Sequence, residues 1–156
     1  MKNRSRSQID VVIATRNTGK MNEMRKMLFN TSFSVFSLDE VSVLEEVEET
    51  GTSFEENAML KAETYGKLSG KLTIADDSGI EVDVLGGAPG IYSARYGGDG
   101  KDDQDRNKLL LENVEGIPEH QLTARFRCVV ALWNPIDNTI VTFGGKIEGK
   151  ITRNVR

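Results

Sequence analysis

Apolar residues change their spacing in a regular order along this chain. A compact β-branched run, Ile9 to Ala14, gives way from Lys20 to Phe29 to Met21, Met24, Met27 and Leu28 at helical intervals. The first pattern predicts a strand covered on both faces, the second an amphipathic helix. Thr15 to Gly19 between them reads as a tight turn. A second strand is expected over Phe33 to Leu38, then an acid-rich connection over Glu45 to Glu49. Thr52 and Glu55 form a capping-box signature ahead of a helix whose apolar face is Phe54, Ala58, Ala62, Tyr65 and Leu68, and which Gly70 can end.

Leu72 to Ala75 predicts a third strand, running into Asp76-Asp77-Ser78-Gly79, with a short alternating piece from Glu81 to Leu85 beyond it. A glycine-rich loop from Gly86 to Gly100 and a helix over Asp102 to Val114 follow. Leu122 to Trp133 alternates as a strand, with Leu122, Ala124, Phe126, Cys128, Val130 and Leu132 on one face. Asn134-Pro135 and Asp137-Asn138 supply turn chemistry, and Thr139 to Phe143 returns as the second strand of a hairpin. Strands alternating with helices and then a long β-hairpin predict an α/β fold with a mixed twisted sheet flanked by helices. Lys146 to Arg156 keeps a half-extended pattern without a stop signal, as expected if the sequence breaks off inside that architecture.

Length and composition narrow the function classes. At 156 residues without a low-complexity linker, the chain is expected to form one domain with a real core. A net charge of -4 disfavours a general role on nucleic acid polymers, where a basic face is the usual footprint. The basic start, Lys2, Arg4 and Arg6, reads as a solvated tail. No apolar run reaches the roughly 20 residues of a bilayer-spanning helix, and the polar start lacks a signal-peptide segment, so no membrane role and a cytoplasmic location are expected. The single cysteine, Cys128, cannot form an internal disulfide and lies in an apolar alternating strand, where a small core residue is expected.

Three groups of residues point to chemistry. Asp76 and Asp77 put two like charges at the end of a strand, an arrangement that suits a bound cation or a proton transfer, while Asp-Asp-Ser-Gly is also ordinary turn chemistry. Ala14-Thr15-Arg16-Asn17-Thr18-Gly19-Lys20 differs from a P-loop, because Met21 stands where the metal-binding hydroxyl is needed. A loop between a strand and a helix N-terminus still presents N–H groups and a positive dipole end, and Lys20 adds a charge. Phosphate is the natural ligand. Glu45, Glu46, Glu48 and Glu49 form an acidic run that reads either as a solvated loop or as a carboxylate source, and Asn57 and Lys61 share a face of the following helix. Together these parts fit phosphoryl chemistry, with carboxylates holding Mg2+ and lysines offsetting phosphate charge. His120, the only histidine, follows Pro118-Glu119 in an expected loop.

IATRNTGK, EETGTSFEENAMLKA and above all IADDSGIEVDVLGGAPGIYSARYGG resemble the inosine triphosphate pyrophosphatase family, the XTP/dITP diphosphatases. The similarity runs from about Ile9 to the end and includes ARFRCVVAL and GKITR. It implies Mg2+-dependent attack of water on the α-phosphorus of ITP, dITP or XTP, releasing pyrophosphate and clearing deaminated purines from the nucleotide pool. Carried over by motif, Thr15, Arg16, Asn17, Thr18, Gly19 and Lys20 would hold the triphosphate and Ser78 would touch substrate. Glu49 and Asp77 would bind metal, with Glu48 and Asp76 as neighbours able to assist. Asp77 would also be the general base, and Lys20 and Lys61 would stabilise phosphate charge. The resemblance further implies an ITPase/Maf-like fold and a homodimer, for which Ile91, Tyr92 and Tyr96 are candidate contacts.

The family pattern continues past GKITR into a Gly-Phe-Gly-Tyr-Asp-Pro segment and a Ser-His-Arg motif that help hold the purine. Neither occurs in this sequence. The expectation is a C-terminally incomplete pyrophosphatase domain that encodes the phosphate and metal half of the site without the base-reading half. Two alternatives remain: a non-catalytic nucleotide-binding or dimerising module, and a Maf-like pyrophosphatase with another base preference.

Overall fold

The computed structural model of the protein describes residues 8–153, so Lys2, Arg4, Arg6 and the last three positions lie outside it. Five strands, β1 (Ile9–Ile13), β2 (Phe33–Ser37), β3 (Leu72–Val82), β4 (Thr123–Trp133) and β5 (Ile140–Lys150), form one sheet in the order β2-β1-β3-β4-β5. Three helices, α1 (Thr18–Leu28), α2 (Phe54–Ser69) and α3 (Asp103–Asn113), accompany it. Two compact units are distinguishable: residues up to Asp76 with Val130–Phe143, and Asp77–Val129 with residues from Gly144 onward.

In the first unit β1 pairs in parallel with β2 on one side and β3 on the other, with Val11 opposite both Val35 and Leu72. Its β-branched run is buried on both faces, as expected for a parallel strand: Val11 and Val12 point to opposite faces and are both fully buried. Val11 and Ile13 pack with Met21 of α1, joined by Met24, Leu28, Phe33, Val35, Leu72 and Ile74. The methionine spacing read as helical is therefore the stripe that seats α1 on the sheet.

Helix α2 starts one residue later than its sequence signature. Ser53, not Thr52, is the N-cap, accepting from the Glu56 N–H, and it is the Glu56 carboxylate that reaches back to the N–H of Thr52. The cause is simple: two hydroxyls, Thr52 and Ser53, are each followed three residues later by a glutamate, Glu55 and Glu56, and the second pair is the one compatible with Phe54 seated in the core. Phe54, Ala58, Ala62 and Tyr65 are buried as predicted, whereas Leu68 is largely exposed and Gly66 takes the inner position. Gly70 ends the helix at φ +65°.

A second correction concerns β3. It continues as one strand through Asp76-Asp77-Ser78-Gly79 to Val82, so that run is strand and the turn reading fails. The glycine has a steric reason to be there: a Cβ on Gly79 would lie 2.3 Å from the Gly90 carbonyl oxygen and 2.4 Å from Ser93 Oγ. The glycine serves close backbone approach within a strand rather than chain reversal. The glycine-rich loop beyond it contains two short 3-10 turns, Asp83–Leu85 and Gly90–Arg95.

The second unit has its own core of Val82, Leu110, Val114, Leu122, Ala124 and Ile151. Asp102 caps α3 with a reciprocal box to Asp105. Along β4 the buried parity changes: Leu122 and Ala124 are inside at one end and Val129, Ala131 and Trp133 at the other, leaving Phe126 exposed. One continuous apolar face was expected; the pattern holds only locally. Cys128 is half-buried. The 134–139 turn closes through the Asn134 N–H and the Thr139 carbonyl, and β5 extends beyond Phe143 to Lys150.

Candidate active site

The chain leaves β1 through α1 to reach β2 on one side, then crosses back through α2 to reach β3 on the other. The sheet order therefore reverses at β1, and the carboxyl end of β1 beside the 72–74 part of β3 is the kind of switch point at which α/β sheets bind ligands. Thr15, Arg16 and Asn17 occupy the connection from β1 to α1. Ala14 is still tied to β3 through its N–H and the Ile74 carbonyl at 2.7 Å.

Asn17 caps α1, its Oδ1 accepting from the Lys20 N–H at 3.0 Å, while Thr15 Oγ1 accepts from the Asn17 N–H at 3.2 Å. The first turn of α1 contains no acidic residue, so the positive end of the helix dipole is not offset locally. Lys20 Nζ donates to Asp76 Oδ2 at 2.5 Å. Asp76 shares strand parity with Leu72 and Ile74, which pack on the α1 side; alternation turns Asp77 to the other face. Both aspartates are buried, and Asp77 Oδ1 accepts from the Ser78 N–H. A cleft of about 380 Å³ runs along the loop, bordered by Thr15 to Thr18 and, opposite, Ser37 to Glu40. At its edge, the Ser37 N–H and then Arg25 hold the Glu40 carboxyl below its ordinary range.

The acidic connection has no regular secondary structure but is pinned at alternate residues. Arg16 donates to the carbonyls of Val43 at 3.3 Å and Glu45 at 3.0 Å. The Val47 N–H donates to Tyr65 Oη at 3.2 Å, Lys61 Nζ donates to Glu49 Oε1 at 2.5 Å, and the Gly51 N–H donates to Asn57 Oδ1 at 2.8 Å. Leu44, Glu46, Glu48 and Thr50 are exposed. Of the four glutamates, Glu49 alone is drawn inward, with a side chain 21% exposed.

Two associations among the expected site residues are thus explicit: Lys20 with Asp76, and Lys61 with Glu49. Glu48 is exposed. The holding roles of Arg16, Tyr65 and Asn57 were not read from the sequence, although a two-residue alternation, Val43, Glu45, Val47, Glu49, Gly51, was there to be read. The donor set suits a hard divalent cation, since only carboxylate oxygens are offered. Among the described residues no three such side chains form a ready-made cage.

The Ham1 family profile matches residues 11–156, spanning the loop, the strap and both aspartates. The chain belongs to the Ham1 family. A dITP/XTP pyrophosphatase of Bacillus licheniformis is 48% identical over 147 residues, covering 94% of this chain and 74% of that protein. Among solved Ham1 structures, that of a HAM1 protein from Coxiella burnetii superposes with a TM-score of 0.86 at 35% identity, over 96% of this chain and 76% of that one. The Staphylococcus aureus Ham1 protein gives 0.81 at 40% identity, over 92% and 72%. The predicted α/β class with a mixed sheet is thus the Ham1 fold. Among the described residues of this Ham1 chain, no helix is long and apolar enough to cross a membrane.

Proposed function

We propose that this Ham1 chain hydrolyses the non-standard purine nucleoside triphosphates ITP, dITP and XTP to monophosphate and pyrophosphate. Its curated relatives are named for dITP and XTP. The observation that carries the reading in this chain is that one unit holds a helix-capping loop, a lysine paired with a buried aspartate, and a glutamate-bearing strap tied to that loop by Arg16.

The loop amides from Thr15 to Gly19, with Asn17 and Lys20, would receive the triphosphate, using the dipole end of α1 and one ammonium. Ser78 would contact substrate. Glu49 and Asp77 would hold Mg2+, with Asp76 and Glu48 able to assist. Bound Mg2+ would neutralise phosphate oxygens and orient them for in-line attack. Asp77 would accept the proton of the attacking water, its buried carboxylate serving as general base. Lys61 would offset the charge that grows on the phosphates as the bond to pyrophosphate breaks.

We infer in addition a cytoplasmic enzyme acting on the free nucleotide pool, and a homodimer. Tyr92, 58% exposed with Arg95 stacked over its ring at 5.4 Å, offers an aromatic surface for a second copy. Pyrophosphate release from ITP, XTP and ATP with Mg2+ tests the activity. Turnover of ITP and XTP well above ATP is expected, and no release from any of them refutes the assignment. A sedimentation experiment reporting only monomer at high concentration removes the dimer.

A further inference from the structure

Arg16 belongs to the loop expected to hold phosphate, yet its guanidinium is engaged with Asp39 and the strap. It donates to two main-chain carbonyls of the strap, Val43 and Glu45, and pairs with the Asp39 carboxylate at 3.4 Å. One terminal nitrogen, Nη2, makes both carbonyl bonds while Nη1 holds Asp39, so the planar fork joins the strap and the Asp39 turn at once, a spread of three acceptors that a shorter-headed lysine ammonium does not match. Beyond Glu45, Tyr65, Lys61 and Asn57 of α2 hold the strap at Val47, Glu49 and Gly51. Arg16 is therefore what joins the strap to the phosphate loop rather than to the helix that follows it.

The steric evidence shows how little freedom the far end of the strap has. A Cβ on Gly51 would lie 2.6 Å from Asn57 Oδ1 and 2.8 Å from Glu56 Cβ, so the chain is pressed against α2 there. Asn57 itself is fully buried. With Gly51 fixed at one end and Arg16 gripping 43 and 45 at the other, Glu49 lies on a stretch held from both sides. Release at Arg16 loosens the 43–47 half of the strap, the backbone that leads into Glu49, while Lys61 and Asn57 keep their hold on the other half.

We propose that Arg16 is a positioning residue that sets the metal-binding carboxylate of Glu49 through the strap. The proposal rests on the pyrophosphatase reading for its consequence but not for its mechanical core. Outer partners of metal ligands typically govern about 10–100-fold in metal affinity, and the half-exposed Arg16 belongs at the low end of that range.

The test uses Arg16→Lys and Arg16→Ala in the whole chain, with two readouts. Amide hydrogen exchange of the protein alone reports the strap directly. Loss of Arg16 is expected to speed exchange at Val47 more than at Gly51, leaving the α1 amides unchanged. Mg2+ titration of ITP hydrolysis reports the consequence: half-activation shifts up about ten-fold in Arg16→Ala and less in Arg16→Lys, while KM for ITP at saturating Mg2+ stays within about two-fold. Unchanged strap exchange in both variants overturns the proposal. So does faster exchange with an unaltered Mg2+ requirement, and so does a raised KM at saturating metal, which would make Arg16 a direct phosphate ligand. Should Arg16→Ala not fold, Arg16→Lys carries both measurements. Wild-type protein that shows no hydrolysis refutes the enzymatic reading separately, and the exchange data then decide the strap alone.

Discussion

Lys20 Nζ and Asp76 Oδ2 are 2.5 Å apart although 56 residues separate them in sequence. The lysine sits in the first turn of α1 and the aspartate on β3, so this contact fastens the start of the helix to the strand beside its own. An ammonium engaged with a buried carboxylate is pre-oriented over the loop rather than sampling solvent.

Lys20→Met should therefore do two things at once. Asp76 loses its partner while nearly buried, and stability in urea should fall by about 1–3 kcal/mol; the roughly 3–5 kcal/mol of a fully buried pair is too much, because the Lys20 side chain is 35% exposed. Hydrolysis of ITP should drop as well. Adding Asp76→Asn should restore much of the stability and none of the activity, whereas failure of the double variant to recover stability would show that the pair is not what was lost.

Asp77→Asn preserves shape and removes the base. With ITP as substrate, kcat is expected to fall about 10²–10⁴-fold with the thermal midpoint nearly unchanged. Near-normal turnover measured by pyrophosphate release would take Asp77 out of the mechanism.

The alternation of the strap separates two adjacent glutamates. Glu49 is drawn in by Lys61 and Glu48 is exposed. Glu49→Gln should reduce kcat/KM at limiting Mg2+ at least about ten-fold more than Glu48→Gln. Equal effects in parallel Mg2+ titrations would mean that the register of the strap is wrong.

Gly66 lies inside α2, where alanine ordinarily stabilises a helix by up to about 1 kcal/mol. Here a Cβ would come within 2.1 Å of Trp133 Cε3, ring carbon held in a buried position. Gly66→Ala should reverse the usual sign and destabilise the protein by about 1–3 kcal/mol in chemical denaturation. A more stable variant would contradict the close approach of helix and indole.

Arg125 gathers Glu81, Asp83 and Glu148 in the second unit. Hydrogen bonds from Thr123 and then Arg125 hold the Asp83 carboxyl below its ordinary range, and Lys146, followed by the charge of Arg125, does the same for Glu148. Carboxyls depressed in the folded state contribute stability that is complete above their unfolded values and is lost as pH falls through the folded ones. Stability should accordingly be flat from neutrality down to about pH 4.5 and fall below it, less steeply in Asp83→Asn. Denaturation midpoints across that range, showing the same slope in both proteins, would exclude a part for Asp83.

Spacing carried a large share of the architecture. The β-branched run of β1, the methionine stripe of α1, the inward face of α2 from Phe54 to Tyr65 and the αL glycine at position 70 all express local rules, in which side-chain periodicity and backbone freedom act over a few residues. The strings around Asn17, Glu49 and Asp77 named the family for a related reason: a phosphate loop and paired carboxylates need particular residue types at fixed spacing.

Long-range packing settled what those rules left open. Asp-Asp-Ser-Gly has the composition of a turn, yet it continues β3, and its glycine answers to Gly90 and Ser93 pressed against it from elsewhere in the chain. Four glutamates in a short run are equivalent in sequence; Arg16, Tyr65, Lys61 and Asn57, brought from other elements, choose which one faces inward. The sequence by itself determined the order of elements, the family and the chemical groups available, because each depends on near neighbours. Which lysine meets which carboxylate was decided only by the tertiary structure, since an ion pair depends on distance through space, and that distance is set by how α1 and α2 are seated in the folded first unit.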